Sequence, residues 1–284
     1  MTDTRTPTVQ EDTTMKKNCA VVIPVYKTQL SELEEIAVEQ CKRILSADFD
    51  VIVIKPETLD LQQIPLLRFA NANISFDDVY FQNVQQYNNL MLSADFYGKF
   101  LDYEYMLIYQ LDAFVFQNTL AFWCNQNFDY IGAPWIREKP YATRFKAFKE
   151  AIRSSWHRRF NPIGKDGVPD AGRQLNWMVG NGGLSLRKVN TFYQACLNEV
   201  SLINSYIGQT HAHFNEDIFW CIEMNRRRKK IKIPNYKQAV YFSIETAPDR
   251  AFALTHHVLP FGCHAWDKNL QFWKPYFKQQ GYVL

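Results

Sequence analysis

A run of apolar residues holding one carboxylate constrains this chain more than any other feature. From Met106 to Phe116 the sequence is apolar except for Gln110 and Asp112, and Tyr103–Phe116 contains no Gly, Pro or Asn. A short run rich in aromatic and branched residues predicts a strand buried on both faces. An ionised carboxylate inside such a strand costs several kcal/mol unless a cation or hydrogen-bond donors meet it. Asp112 therefore either ligates a bound metal ion or, more simply, accepts from loop amides or an Arg where the strand ends.

The flanking sequence supplies a sheet for that strand to join. Asn18–Tyr26 reads as a first strand ending at Pro24. Ser31–Leu45 has helical periodicity, with Leu33, Ile36, Ala37, Cys41, Ile44 and Leu45 near one face. Asp50–Ile54 is a second strand, closed by Lys55-Pro56. Strand, helix, strand in this order predicts a βαβ unit, hence an α/β fold with a mainly parallel central sheet flanked by helices. A third short strand is expected at Phe76–Phe81, further extended segments at Asp129–Gly132 and Ile231–Ile233, and helices at Ser93–Phe100 and from Val189.

At 284 residues, with 47% hydrophobic and 15% aromatic content, the chain has ample core for a globular fold. No apolar run approaches the roughly 20 residues of a membrane span. Residues 1–17 are polar and Thr-rich, with no apolar segment behind their charges; they read as a disordered tail and not as a signal peptide. Residues 18–284 then form one domain. The six cysteines include no CxxC pair and lie mostly among apolar neighbours, as expected of reduced core residues in a cytoplasmic protein. The net charge of +3 is uneven: residues 137–176 hold ten Lys or Arg against four Asp or Glu. This helical and loop excursion is either a solvated face or a docking surface for phosphate-bearing partners or a membrane.

Several signature motifs are missing, which weakens the P-loop and dinucleotide readings. There is no GxxxxGK[ST], no GxGxxG after the first strand, no HExxH and no GxSxG. Three of the eleven glycines cluster in Gly180-Asn181-Gly182-Gly183, which allows positive φ and close approach of a ligand to backbone, or simply a tight turn before a strand. Asn215-Glu216-Asp217 opens an apolar-periodic run. An Asn cap with acids in the first turn suits a helix start; a carboxylate there beside a Gly-rich pocket could also act as a general base. His211, His213, His256 and His257 sit in no motif, and His264 lies among aromatics near the C-terminus.

Taken in order, these pieces resemble a GT-A (Rossmann-like) glycosyltransferase, and more closely the bacterial domain-of-unknown-function family DUF5672, grouped with such transferases. The runs YNNLMLSADFYGKFLDYEYMLIYQLDAFVF, DYIGAPW, GNGGLSLR, NEDIFW and FGCHAW carry the resemblance. It implies that Gln110-Leu111-Asp112 stands where such enzymes have a DxD-type motif, with Gln110 replacing the first acid. Asp112 and His264 would then hold a divalent metal, Mn²⁺ or Mg²⁺, that bridges the donor diphosphate. Asp217, with Glu216 second, would be the base that deprotonates the acceptor in an inverting transfer. Pro24, Val25 and Tyr26 would border the nucleobase, Gln110, Asn181, Gly182 and Gly183 the donor, and Trp135 and Trp177 the acceptor sugar.

The resemblance further implies a nucleotide-sugar donor, a glycan or lipid-linked acceptor, and a role in bacterial surface-polysaccharide assembly. The location would be cytoplasmic, with the basic block against the inner membrane, and no nucleic-acid partner is expected. Two other readings are a sugar nucleotidyltransferase, which lacks its usual basic Gly-rich loop here, and a non-catalytic binding protein on a degenerate transferase scaffold.

Overall fold

The computed structural model describes residues 17–165 and 167–284. The expected disordered tail lies outside them except for Lys17, which opens the first strand.

Among the described residues nine strands form two sheets. They are β1 (Lys17–Pro24), β2 (Asp50–Pro56), β3 (Ala72–Phe76), β4 (Tyr103–Tyr109), β5 (Ala113–Val115), β6 (Tyr130–Ile131), β7 (Leu184–Lys188), β8 (Ser243–Ile244) and β9 (Gly262–His264). The larger sheet runs β3-β2-β1-β4-β7-β6 and the smaller β5-β9-β8. β3, β2, β1 and β4 are parallel; β7 pairs antiparallel with both β4 and β6. This is the α/β, mostly parallel sheet expected from the βαβ pattern.

Side-chain alternation along the central strands splits the core. Val21, Ile23, Val51, Val53, Leu107 and Tyr109 face one side, where the helix Glu32–Leu45 packs with Ala37, Val38, Cys41 and Leu45. That helix starts with a reciprocal capping box between Ser31 and Glu34. Ala20, Val22, Ile52, Ile54, Met106 and Ile108 face the other side, against Leu90, Phe96, Phe192 and Trp220. Each large apolar side chain buried this way contributes about 1.5–3 kcal/mol relative to exposure. A third cluster, with Phe114, Trp266, Trp273 and Phe277, anchors the smaller sheet to the C-terminal helix Leu270–Gln279.

Three expectations are corrected. The Tyr103–Phe116 run is two strands, because the chain turns at Gln110–Asp112, where the Ala113 amide donates to the Gln110 carbonyl at 2.9 Å. The third strand lies at Ala72–Phe76, and Asp78–Phe81 is a 3-10 turn capped by Asp77. Ile231–Ile233 is not a strand, although the Lys232 carbonyl accepts from the Asp129 amide at 2.8 Å. All six cysteines are buried and free, and no described helix is long and apolar enough to cross a membrane.

Candidate functional site

Strand register assembles the site from distant parts of the chain. Tyr109 of β4 lies opposite Leu184 of β7, so the chain leaving β4 runs beside the glycine-rich turn, and the Gln110 amide donates to the Gly183 carbonyl at 2.9 Å. Ala113 of β5 lies opposite His264 of β9, which sets Asp112 against the imidazole. Ile244 of β8 pairs with Cys263, which brings Glu245 to the same ring. These groups open onto a cleft of about 700 Å³ at the carboxyl ends of β1 and β4, where open α/β sheets bind ligands. Pro24, Tyr26, Gln110, Asp112, Asn181, Gly182, Gly183, Glu216, Asp217 and His264 all line it.

His264 sits between two carboxylates. Its Nε2 is 3.0 Å from Asp112 Oδ1 and 3.3 Å from Gln110 Oε1, and its Nδ1 is 3.5 Å from Glu245 Oε1. Burial alone pushes the imidazole pKa down, but hydrogen bonds and charge from Asp112 and Glu245 overcome this and raise it to about 9. Burial pushes Asp112 up; the His264 hydrogen bond and charge outweigh it and hold the carboxyl below its usual range.

The glycines serve these side chains. Neither Gly182 nor Gly183 has positive φ; Asn181 does, at 70°, and its Oδ1 accepts from the Gly183 amide at 3.0 Å, an arrangement Asn tolerates. A β-carbon on Gly183 would fall 1.8 Å from His264 Nε2, and one on Gly182 would fall 2.2 Å from Glu216 Oε1. The absence of side chains at Gly182 and Gly183 leaves the space that Glu216 and His264 occupy.

Glu216 and Asp217, adjacent in sequence, have different surroundings. Glu216 forms a two-pronged ion pair with Arg187 of β7, with Nη2–Oε1 at 2.9 Å and Nη1–Oε2 at 3.0 Å, and both residues are buried. The guanidinium also donates to Tyr97 Oη at 2.9 Å and Ser185 Oγ at 3.1 Å. Both oxygens of the Glu216 carboxylate are thus engaged by the Arg187 guanidinium. Asp217 has no such partner cation among the described residues; its Oδ1 accepts from the Ile218 amide at 2.8 Å. Burial first, then the charges of Glu216 and Glu245, push its pKa up to about 7. Asn215 occupies the N-cap position without capping by its side chain. Instead, Asn88 donates to Asn215 Oδ1 at 3.1 Å and accepts from the Glu216 amide at 3.3 Å. The short helix Glu216–Ile218 continues as a π-turn, Phe219–Glu223, a form frequent at functional sites.

Three expected residues lie elsewhere. Val25 is fully buried in the core beneath β1, because its side chain alternates away from the cleft. Trp135 packs on Gly180, where a β-carbon would meet its ring at 1.8 Å. Trp177 packs on Tyr236 at 4.6 Å between centroids and beside Arg250. Neither tryptophan lines the cleft; both are partly buried packing residues. Arg187, Glu245 and Asn88 were missed. Arg187 lies in the mixed strand sequence LSLRK and Glu245 follows YFSI, and neither stretch marks its charge as unusual.

Among the described residues no group of three or more His, Cys, Asp or Glu is arranged to hold a metal ion. The Asp112–His264 pair nonetheless has the donor chemistry for one whose other ligands are diphosphate oxygens and water. Glu245 faces the far ring nitrogen, as the outer carboxylate of a metal-bound histidine does, and that nitrogen has no other hydrogen-bond partner. The residues present fit a divalent cation.

Solved glycosyltransferases share this architecture. The galactosyltransferase LgtC, in complex with donor and acceptor sugar analogs, is similar at 12% identity with a TM-score of 0.50, covering 86% of this chain and 86% of that one. Core-mannan synthase A (CmsA/Ktr4) from Aspergillus fumigatus, in its Mn/GDP form, matches at 11% identity and TM-score 0.49 over 78% of this chain and 73% of that one. The bifunctional glycosyltransferase WbbM matches at 12% identity and TM-score 0.49 over 87% of this chain but only 45% of that one. At such identities the likeness to LgtC establishes the fold, that of GT-A glycosyltransferases. No curated protein sequence matches the chain. A family model, described as "Protein of unknown function (DUF5672)", matches residues 71–264, and so spans the turn at Asp112, the glycine cluster, Asp217 and, as its last residue, His264. The chain belongs to the DUF5672 family.

Proposed function

We propose that this protein is a glycosyltransferase that moves a sugar from a nucleotide-sugar donor to an acceptor hydroxyl, with Asp112 and His264 holding a divalent metal and Asp217 acting as base. The observation that carries this reading is the convergence of a histidine–carboxylate pair and a separate, unpaired carboxylate on one cleft of a transferase fold. Mg²⁺ or Mn²⁺ bound there would neutralise charge developing on the leaving nucleoside diphosphate. Tyr26, 55% exposed on the cleft wall, offers an aromatic face to the base. The side-chain amide nitrogen of Asn181, buried and without a partner, is a donor free for the diphosphate or sugar. Asp217 takes the proton from the acceptor hydroxyl as that oxygen attacks the anomeric carbon, and attack from the face opposite the leaving group inverts configuration. Arg187 and Glu216 fix the backbone on which Asp217 stands. A glycan or lipid-linked acceptor, a role in bacterial surface polysaccharide and a cytoplasmic location follow from the family resemblance.

One observation favours a second reading: Gln110 occupies the position of the first acid, which suits a non-catalytic nucleotide-sugar binder. Product analysis across a panel of sugar nucleotides and acceptors separates the cases. Free nucleoside diphosphate with glycosylated acceptor supports transfer. Pyrophosphate would indicate a nucleotidyltransferase, and binding without product a binder. Retention of configuration in the product would contradict Asp217 as the base.

A further inference from the structure

The helix Arg144–Phe160 is built inside out. Its start is capped by Thr143, whose Oγ1 accepts from the Lys146 amide at 3.1 Å, and it ends on left-handed Asn161. The face turned to the protein is small and polar: Ser154 is buried, and Ala147, Glu150, His157 and Arg158 are partly so. At 100° per residue, Phe145, Phe148, Ile152, Trp156 and Phe160 share one sector of about 120°, and this is the outward face. Their exposures run from 51% at Trp156 to 71% at Phe145. A helix that packed for stability alone would point this stripe inward.

Positive charge borders the stripe and, at Lys149 and Arg159, falls within its sector. The helix carries six Lys or Arg and one Glu, and that Glu150 is turned to Arg153 at 2.8 Å and Arg173 at 3.5 Å. A second basic run joins its C-terminal end. Arg159 Nη1 donates to the Arg226 carbonyl at 3.1 Å, and Arg226 Nη1 donates to the Arg158 carbonyl at 2.5 Å. The exposed Arg227, Arg228 and Lys229 follow directly.

We infer that this face seats on an anionic lipid bilayer, the apolar stripe entering the headgroup–acyl boundary and the flanking Lys and Arg meeting lipid phosphates. Aromatic and aliphatic residues on one face with Lys and Arg beside them are the signature of helices that lie in a membrane interface. A nucleic acid or acidic polysaccharide would meet the charges but leave the apolar stripe in water. A second copy would bring two strongly basic helices together.

The test is flotation of the full chain with vesicles of phosphatidylcholine alone or with one-third phosphatidylglycerol, at low and high salt. The expected result is recovery with the anionic vesicles, weakened by salt, and reduced about tenfold or more by Ile152→Glu with Trp156→Glu. Both positions are exposed, so the melting temperature of this variant should be unchanged. Brominated lipid should quench fluorescence of the wild type more than of Trp156→Phe. Absence of flotation would overturn the inference. So would wild-type flotation by the double variant, or a dimer that the same substitutions dissociate without any lipid binding. Vesicle binding is read without sugar transfer and stands or falls independently of the transferase reading.

Discussion

His264 Nε2 lies 1.8 Å from where a β-carbon on Gly183 would stand. The imidazole that faces Asp112 therefore depends on a residue 81 positions earlier having no side chain. Gly183→Ala should push the ring out of line with Asp112. The expected outcome is a loss of about 1–3 kcal/mol of stability from overpacking, together with loss of metal-dependent nucleotide binding. Calorimetric titration of nucleoside diphosphate with Mn²⁺ checks this; unchanged affinity would show that the ring's position does not matter.

Asp112→Asn keeps the shape of the turn and removes the charge. Nucleotide affinity in the presence of Mn²⁺ should fall to its value with chelator, while the fold persists because Asp112 lies at the cleft wall. Measured affinities that still respond to metal would place the metal elsewhere.

Asp217 ties activity to pH. A base with a pKa raised to about 7 is half protonated near neutrality, so kcat/KM should rise with pH through that value and level off above it. The same shift sets the sign for stability. The folded state binds this proton more tightly than the unfolded chain, whose Asp titrates near 3.9, so its contribution is fully present below about pH 4 and is lost as pH rises to about 7. Asp217→Asn should thus lower turnover by about 10²–10⁴-fold and at pH 8 raise stability on the order of 1–3 kcal/mol. A variant that is both inactive and less stable at pH 8 would contradict the assigned ionisation.

Arg187 and Glu216 are a structural pair. Arg187→Met leaves the Glu216 carboxylate buried and unpaired and should cost about 3–5 kcal/mol in denaturant unfolding. The double replacement Arg187→Met with Glu216→Met should recover most of that loss, since an apolar pair needs no counter-charge. Equal destabilisation by single and double variants would show that the pair's own attraction dominates.

Much of this was legible in the sequence for physical reasons, and the failures are also physical. The βαβ order at Asn18–Ile54 predicts a parallel sheet because strand and helix periodicities differ, and Asp112 stands out because a charge in an apolar run needs a partner. The break between β4 and β5 was not visible, since Gln110-Leu111-Asp112 turns without Gly, Pro or Asn. Gly182 and Gly183 line the cleft, but the clearance they give His264 and Glu216 is a tertiary fact. Arg187–Glu216 spans 29 residues and has no local signature. The sequence alone does not separate a sugar platform from core packing at Trp135 and Trp177, because an aromatic residue suits both equally well.

The most direct test of the central claim is a thermal-shift panel of nucleoside diphosphates and sugar nucleotides with Mn²⁺, Mg²⁺ or chelator. Ligand at about 100 times its Kd adds about 2.7 kcal/mol to the folded state. The account predicts a metal-dependent rise in Tm with one nucleotide, retained in Asp217→Asn and lost in Asp112→Asn. No shift with any nucleotide, or a shift indifferent to metal and to Asp112, would contradict it.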